Sequence, residues 1–318
     1  MKLQEAGDET ARAPAAGLPT QSGGRRRSPV RAAIYVVLTL GAALSLVPFV
    51  YMLMTSVKSY GSLITGNLWP WPPFGSETLQ WQNYPDAIRA IGWDNDWQMF
   101  LFFRYALNSI IVGGAIVMGT LVTSILAAYA FAQMRIPGKN VLFMLLLATV
   151  MIPADLTVVP KAVMMYELKN PFGPGSWYNT YLALTVPFLA SVFGIFLLRQ
   201  FFLQIPKELF DAALIDGCGH LRYLFTIVVP IARPAIVSVA MLNFLWSWDS
   251  FKWPLLVTRD NSMRVLAVGL QQFLVGEGGT NTQLMMAFSA MVIVPVIVFY
   301  FFTQRYFTEG IATTGIKG

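Results

Sequence analysis

The chain has 318 residues, of which 56% are hydrophobic and 12% are charged, whereas soluble domains carry about 25% charged residues, so the composition excludes an ordinary soluble protein and favours a membrane protein. The pI is about 9.4, but the surplus positive charges form no basic face with interleaved aromatic side chains, and this excludes nucleic-acid binding. One cysteine, Cys218, and one histidine, His220, exclude a disulfide framework and any metal site built from Cys and His alone.

The first 30 residues are rich in Gly, Ala, Pro, Ser and Arg and have almost no large apolar side chains. They cannot bury enough surface to fold, so residues 1–30 are predicted to be a disordered tail. The arginines at 25–27 and 31 precede an apolar run, as in a secretory signal. That run, from Ala32 to about Ser56, is long enough to cross a bilayer, and we expect it to remain as the first transmembrane helix.

Five further apolar runs are long enough to span a membrane. Their approximate bounds are Tyr105–Ala132, Val141–Val159, Tyr181–Phe202, Pro234–Val257 and Leu284–Tyr306. The chain is therefore predicted to be an all-α polytopic membrane protein with six transmembrane helices, whose membrane domain covers residues 31–318. An even number of spans places both termini on one side of the membrane.

The basic residues predict which side that is. The two termini and the loops 133–140 and 199–233 together hold 14 of the 22 Lys and Arg residues and 7 of the 16 acidic ones. The opposite side holds 8 basic and 9 acidic residues. Because cytoplasmic loops carry the excess of Lys and Arg, both termini are expected in the cytoplasm, as a multi-pass protein of the cell membrane.

Two long loops are then extracytoplasmic. Residues 57–104 contain Trp69, Trp71, Trp81, Trp93 and Trp97, and Trp is favoured at the membrane interface. Residues 160–180 include the turn-rich stretch KNPFGPGSW. These loops have two interpretations: a receiving surface for a soluble donor protein, or a simple lid on the helix bundle.

Small side chains recur every four residues in the second span, at Ala115, Gly119, Thr123 and Ala127. Such a stripe is typical of close helix packing in membranes, and we assign it no chemistry.

A polar segment, residues 206–230, lies between the fourth and fifth apolar runs. Pro206 suits a first helical position, Glu208 and Asp211 bring negative charge to the opening turns, and Gly217 suits a left-handed stop. Ala212 and Ala213 keep the helix slim enough to enter a groove of a partner. The segment is either such a docking helix or an ordinary interfacial loop helix.

The fifth span carries polar side chains into the bilayer. Asn243, Trp246, Ser247 and Ser250 follow i, i+3, i+4, i+7 spacing and are predicted to share one helix face. That face either lines a path for a polyhydroxylated solute or bonds to neighbouring helices. Asp249 and Lys252 are expected to form a structural ion pair rather than a proton relay, although charges within a membrane are candidates for function.

Nucleotide-binding and enzyme motifs are missing from the sequence. The nearest approach to a phosphate-binding loop, Gly138-Lys139-Asn140, lacks the upstream glycine and the hydroxyl residue, so we expect no ATP hydrolysis by this chain. No H-E-x-x-H, G-x-S-x-G or dinucleotide-binding glycine pattern occurs either. The chain is therefore predicted not to be an enzyme.

The sequence resembles the permease subunits of binding-protein-dependent ABC importers. Asp211-Ala212-Ala213, Asp216-Gly217 and Pro230 are similar to their E-A-A…G loop. Further stretches resemble the maltose-type carbohydrate subgroup: Met151–Pro153, Phe193–Gln200, Ser247-Trp248, Trp253–Leu256, Gln304–Phe307 and Gly315–Gly318. The likeness runs from about Ala32 to the C-terminus. Asp211 replaces the usual Glu, and Lys252 stands where the family is usually apolar.

The resemblance implies a type I ABC importer fold and a set of partners. These are a second homologous permease subunit, two cytoplasmic ATPase subunits that hold ATP and Mg²⁺, an extracytoplasmic solute-binding protein and the lipid bilayer. This chain itself would bind no cofactor or metal. Residues 206–217 would form the coupling helix that docks on the ATPase, and its expected contacts are Glu208, Asp211, Ala212, Ala213, Asp216 and Gly217.

The function expected is translocation of a sugar, an oligosaccharide or glycoside, into the cytoplasm. Its solute path is assigned to Asn243, Trp246, Ser247, Asp249 and Ser250. Two alternatives remain at this point. One is a stand-alone secondary transporter that uses Asp249 and Lys252, and the other is a structural membrane subunit with no translocation path.

Overall fold

In a computed structural model, the chain is described for residues 29–67, 69, 75, 77–274 and 281–314. The predicted tail before residue 29, Trp71 and the terminal stretch Gly315–Gly318 lie outside the described residues. The chain divides into two compact units, Met1–Phe49 and Val50–Gly318. The second unit contains every helix and strand after the first helix.

The N-terminal part contains three helices and a small hairpin. Helix α1 covers Pro29–Ser56 and therefore extends over the boundary between the two units. It is followed by α2 (Tyr60–Ile64) and α3 (Asn83–Ile91). Strands β1 (Trp93–Asp94) and β2 (Met99–Phe100) pair antiparallel just before the next helix.

The 33-residue helix α4, Leu101–Gln133, is the centre of the second unit. The small-residue stripe predicted for this span does make a close contact. A side chain at Gly119 would collide with Leu189, and the Thr123 hydroxyl donates to the Leu189 carbonyl at 2.7 Å. Small residues here allow the backbone of the next segment to approach α4 closely.

The third predicted span is not one straight helix, contrary to the expectation for Val141–Val159. Helix α5 (Lys139–Ala148) continues in a 3₁₀ turn to Met151. Helix α6 (Ala154–Glu167) then leaves at an angle of 93°. Pro153 lies at the break as the residue before α6. Since proline has no N–H and restricts the residue before it, the bend has a local cause.

The next segments lead to the polar helix. Helix α7 covers Tyr181–Thr185, and a 3₁₀ turn at Val186–Phe188 separates it from α8, Val192–Phe202. A side chain at Gly194 of α8 would meet Ser124 Oγ at 2.8 Å and Val239 at 3.1 Å. Helix α8 thus lies in close contact with α4 and with the later span that carries Val239. The polar helix itself is α9, Lys207–Ile215.

The fifth predicted span is also interrupted, contrary to the expectation for Pro234–Val257. Helix α10 (His220–Tyr223), a π-helical stretch to Val228 and α11 (Val229–Ile231) meet α12 (Arg233–Trp248) at 82°. Residues 249–251 are not helical, and a separate helix, α13, covers Lys252–Val257.

The C-terminal part consists of α14 (Leu266–Gly269) and the long α15 (Thr282–Thr314). In the part of the chain that the structure describes, four helices are long and apolar enough to cross a membrane, and the count reaches six when each bent pair is one span. With that count, the all-helical polytopic architecture expected from the sequence is confirmed.

Side-chain contacts define two ends of the bundle in the second unit. At one end, Gln133 donates to the Phe202 carbonyl at 2.8 Å, so the end of α4 meets the end of α8. At the other end, the Asn179 amide donates to the Asp260 carboxylate at 2.7 Å, and Arg104 donates to the Ser262 carbonyl at 3.2 Å. We call these the α9 end and the loop end. The loops 133–140 and 199–233, which the charge count grouped on one side, both begin at the α9 end.

Candidate functional site

The predicted docking helix exists as α9. Pro206 is the residue before the first turn rather than in it, with φ −58° and ψ 137°, so its predicted position was wrong by one residue. The fixed φ of proline suits this extended entry as well. Glu208 lies in the first turn, where a negative charge interacts favourably with the helix dipole.

Helix α9 is terminated by a left-handed glycine, Gly217, as the sequence predicted. Gly217 has φ +74°, a left-handed conformation that costs a residue with a side chain about 1–2 kcal/mol. The Cys218 N–H donates to the Ala213 carbonyl at 2.8 Å, and the Gly217 N–H donates to the Leu214 carbonyl at 3.0 Å. These two bonds form a Schellman motif, which satisfies the last carbonyls of the helix and fixes where the chain leaves it.

One face of α9 packs on the membrane helices. Ala213 is buried in a core cluster that includes Phe202, Ile205 and Tyr223. Phe210 stacks on His220 with ring centroids 5.0 Å apart and meets Tyr223 edge-on at 5.1 Å. Two positions near the middle of α9, Phe210 and Ala213, thus anchor it to its neighbours.

The other face of α9 is exposed and is the candidate docking surface. It carries the predicted contacts Glu208, Asp211, Ala212, Asp216 and Gly217, whereas the sixth, Ala213, is buried. Sequence reasoning missed the apolar members of this surface: Leu209, Leu214 and Ile215 are 39%, 59% and 87% exposed. Apolar groups beside carboxylates are typical of a protein–protein contact. The hydropathy of Ile215, within a polar segment, was the signal that could have identified it as a contact residue.

The π-helical stretch after α10 connects this surface to the fifth span. His220 begins α10, and its Nδ1 atom lies 2.8 Å from the Tyr129 hydroxyl of α4. Tyr223, Leu224 and Val228 are fully buried. A displacement of α9 thus has a packed route to α4 and α12.

An open cavity of about 900 Å³ lies beside the other end of α12. Three of the residues assigned to a solute path line it: Trp246, Asp249 and Ser250. Gln271 and Ser289 add an amide and a hydroxyl from the later segments. Sequence reasoning missed these two because nothing local distinguishes a cavity-lining Gln or Ser from a buried one.

Asn243 lines a second cavity, of about 420 Å³, together with Trp246 and Phe188. Its Nδ2 donates to the Val239 carbonyl at 2.8 Å, so one amide hydrogen is already used within the helix. Trp246 lines both cavities, is 51% exposed and lies 4.8 Å from the Phe188 ring. A flat aromatic face open to a cavity is a surface on which a sugar ring can stack.

Ser247 lines neither of these two cavities, but it lines a small recess together with Trp246 and Ser250. It is buried and donates to the Phe244 carbonyl at 3.1 Å, with Gly113 of α4 directly against its hydroxyl. Ser247 is one turn on from Asn243 and so lies near the same face of α12, at the edge that meets α4. Its role in this structure is helix packing.

The expected ion pair between Asp249 and Lys252 is replaced by another. Lys252 Nζ lies 3.0 Å from Asp155 Oδ1, and both side chains are largely exposed. The pair joins the start of α6 to the start of α13, the two helices that follow the breaks. Asp249 faces the large cavity instead.

Comparison with known proteins shows which family the chain belongs to. The family described as the inner membrane component of binding-protein-dependent transport systems matches residues 109–313, which is more than half of the sequence. The chain belongs to this family. It is a permease subunit, located in a membrane, of the binding-protein-dependent ABC importer class that the sequence resembled.

Individual relatives cover nearly the whole permease. It is 32% identical over 298 residues to the arabinooligosaccharides transport system permease AraQ of Halalkalibacterium halodurans, covering 92% of this chain and 99% of the relative. It is 32% identical over 233 residues to the sn-glycerol-3-phosphate permease UgpE of Yersinia pestis bv. Antiqua, covering 73% and 79%.

A solved structure shares the fold of the permease. It is a bacterial ABC transporter that imports the acidic polysaccharide alginate; the TM-score is 0.72 at 22% identity, over 89% of this chain and 98% of the other. The type I importer fold expected from the sequence is therefore confirmed. Among the described residues of the permease, no three His, Cys, Asp or Glu side chains are grouped to hold a metal ion.

Proposed function

We propose that this permease forms half of the membrane channel of an ATP-driven importer for a sugar, and that α9 couples it to an ATPase subunit. The observation that carries the proposal is α9 itself. Its inner face is anchored through Ala213 and Phe210, and its outer face presents Ile215, Leu214 and carboxylates. A rigid helix with an exposed apolar tip is suited to dock in a cleft and transmit movement.

The partners follow from the same arrangement. The ATPase pair supplies ATP and Mg²⁺, since this chain has no phosphate-binding loop. A second permease subunit closes the open sides of the two cavities, and an extracytoplasmic protein delivers the solute. The excess of Lys and Arg at the α9 end supports a cytoplasmic position for that end and for both termini.

An oligosaccharide or a related glycoside is the proposed solute class. The names of the two sequence relatives support it, because one transports arabinooligosaccharides and the other a phosphorylated sugar alcohol. The cavity of about 900 Å³ supports it too, because aromatic faces, a carboxylate, hydroxyls and an amide are combined there. The proposed solute path is Asn243, Trp246, Asp249 and Ser250.

The coupling role is tested by purification of the complex from detergent-solubilised membranes. The wild type is expected to bring down an ATPase subunit, and Gly217→Arg to lose it or to retain it without transport. Gly217→Asn is the matched control, because Asn tolerates the left-handed conformation and should keep the helix end intact. Absence of any ATPase from the wild-type complex would refute the proposal.

A further inference from the structure

A short hairpin at the loop end presents one phenylalanine to solvent. Residues 169–177 fold back on themselves: Lys169 and Ser176 form a β-bridge, and the Asn170 N–H donates to the Gly175 carbonyl at 2.9 Å. Gly175 has φ +90°, a conformation that glycine adopts in a turn without steric cost. Phe172 lies at the tip and is 85% exposed. We call residues 169–177 the Phe172 hairpin.

The hairpin is held rigidly despite its exposure. Within the tip, the Phe172 N–H donates to the Asn170 side-chain oxygen at 3.0 Å. At the base, the Trp177 indole donates to the Lys169 carbonyl at 3.0 Å, and the Trp177 N–H donates to the Leu168 carbonyl at 2.9 Å. Pro171 and Pro174 restrict the backbone on both sides of Phe172. Little conformational entropy remains to be lost when such a tip binds a partner.

Asn179, two residues after the hairpin, is bonded to the chain segment that leads to the large cavity. Asn179 accepts the N–H groups of Arg259 and Asp260 at 2.9 and 3.1 Å and donates to the Asp260 carboxylate at 2.7 Å. From there the chain runs to Leu266, Ala267, Leu270 and Gln271, which line the cavity. Asn108 fixes the intervening segment by donating to the carbonyls of Ser262 and Arg264, each at 2.8 Å. A hydrogen-bonded segment therefore connects the hairpin with the cavity wall.

We infer that the Phe172 hairpin is an anchor for the extracytoplasmic solute-binding protein, with Phe172 inserted into an apolar recess of that protein. The inference rests on the proposed function. The family is binding-protein-dependent, so a soluble donor must contact the permease at the end opposite α9. The hairpin lies at that end, protrudes, and is linked to the cavity that would receive the solute.

A protein partner suits the geometry better than lipid does. A phenylalanine can insert into a bilayer interface without a fixed backbone. Docking on a protein, in contrast, costs less entropy when the aromatic anchor is already rigid. The polar end of Trp177, which an interfacial Trp would direct to water or lipid headgroups, is instead bonded within the hairpin.

Site-specific photocrosslinking in intact cells tests the inference. Phe172→p-benzoylphenylalanine is expected to give, on irradiation, an adduct with a soluble solute-binding protein, identified by mass spectrometry. Adducts with lipid alone, or with the second permease alone, would overturn the inference.

A second probe separates this result from the proposed function. Ile215→p-benzoylphenylalanine places the same group on the exposed face of α9, where an ATPase adduct is expected. An ATPase adduct at 215 without a binding-protein adduct at 172 contradicts the hairpin inference alone. No ATPase adduct at 215 contradicts the coupling role of α9.

Titration of the binding protein gives a quantitative test in the reconstituted transporter. Phe172→Ser should raise the binding-protein concentration at half-maximal ATPase stimulation by about tenfold, as truncation of a central interface anchor does. Phe172→Leu keeps an apolar tip and should return the concentration to within about threefold of wild type. An unchanged titration for Phe172→Ser, or equal impairment by both variants, would overturn the inference.

Discussion

The Nδ1 atom of His220 lies 2.8 Å from the Tyr129 hydroxyl, and the same imidazole ring stacks on Phe210 of α9. One side chain thus connects the docking helix with the central helix α4. Ala213 provides a second connection through the core cluster that contains Tyr129 and Leu198. Movement of α9 must then be shared by α4 and α8, and this is the physical requirement for coupling at a distance.

His220→Ala should loosen this connection without unfolding the protein. The hydrogen bond and the ring stack are together worth about 1–2 kcal/mol. We expect ATP hydrolysis to continue while the amount of solute transported per ATP falls several-fold, measured in proteoliposomes. Cys218→Ser, two residues away, is the near-isosteric control, because Cys218 packs on the same core cluster but its thiol bonds only to the adjacent Gly219 carbonyl. Equal coupling in both variants would show that His220 transmits nothing.

Gly119 and Gly194 should be the packing-sensitive glycines of the spans. A methyl group at either position meets a neighbour too closely, Leu189 in one case and Ser124 with Val239 in the other. Gly119→Ala and Gly194→Ala are expected to destabilise the fold by about 1–3 kcal/mol.

The matched control for these glycines is Gly114→Ala, because nothing lies within 4 Å of a side chain added there. Gly114→Ala should be neutral or stabilising by up to about 1 kcal/mol, because alanine favours a helix more than glycine does. Thermal unfolding in detergent, followed by tryptophan fluorescence, measures all three. A Gly119→Ala protein as stable as Gly114→Ala would contradict the close contact between α4 and Leu189.

Two neighbours on α12 should behave differently. Trp246 is open to both cavities, so Trp246→Ala should change which sugars are transported, at a stability cost of about 1 kcal/mol for the lost contact with Phe188. Ser247 is packed against Gly113, so Ser247→Leu should overpack that contact and destabilise the fold by about 1–3 kcal/mol. Competition uptake assays and thermal unfolding provide the two measurements. Unchanged solute selection in Trp246→Ala would favour a structural subunit without a path.

The ion pair between Lys252 and Asp155 should be dispensable for stability. Both side chains are largely exposed, and such pairs contribute about 0–1 kcal/mol. Lys252→Met and Asp155→Asn are therefore expected to fold, and their uptake should depend on ATP and not on an ion gradient. Loss of a gradient-driven uptake in Lys252→Met would instead support the secondary-transporter alternative.

Local features of the site could be predicted from the sequence, and distant contacts could not. The acidic start of α9, its stop at Gly217 and the small stripe at Gly119 are properties of a few adjacent residues. The breaks after Met151 and Trp248 were not predicted, because hydropathy gives the length of an apolar run but not the point at which a helix within it bends or ends.

The partner of Lys252 was missed for a related reason. Asp155 is 97 residues away in sequence, and its pairing depends on how α6 leaves the break. Gln271 and Ser289 come to the large cavity from two separate segments, so no pattern in the chain groups them with Trp246. Ser247 shares a recess with Trp246 and Ser250, but helical spacing could not show that Gly113 of α4 lies against it.

The central claim is that this permease imports a solute by using an ATPase partner, and uptake by purified vesicles tests it most directly. Proteoliposomes that contain both permeases and the ATPase pair, with the binding protein outside, should accumulate sugar only when ATP is enclosed at the α9 side. Ala212→Arg should abolish that uptake while the protein still inserts. Accumulation driven by an ion gradient in vesicles that contain this chain alone would contradict the account.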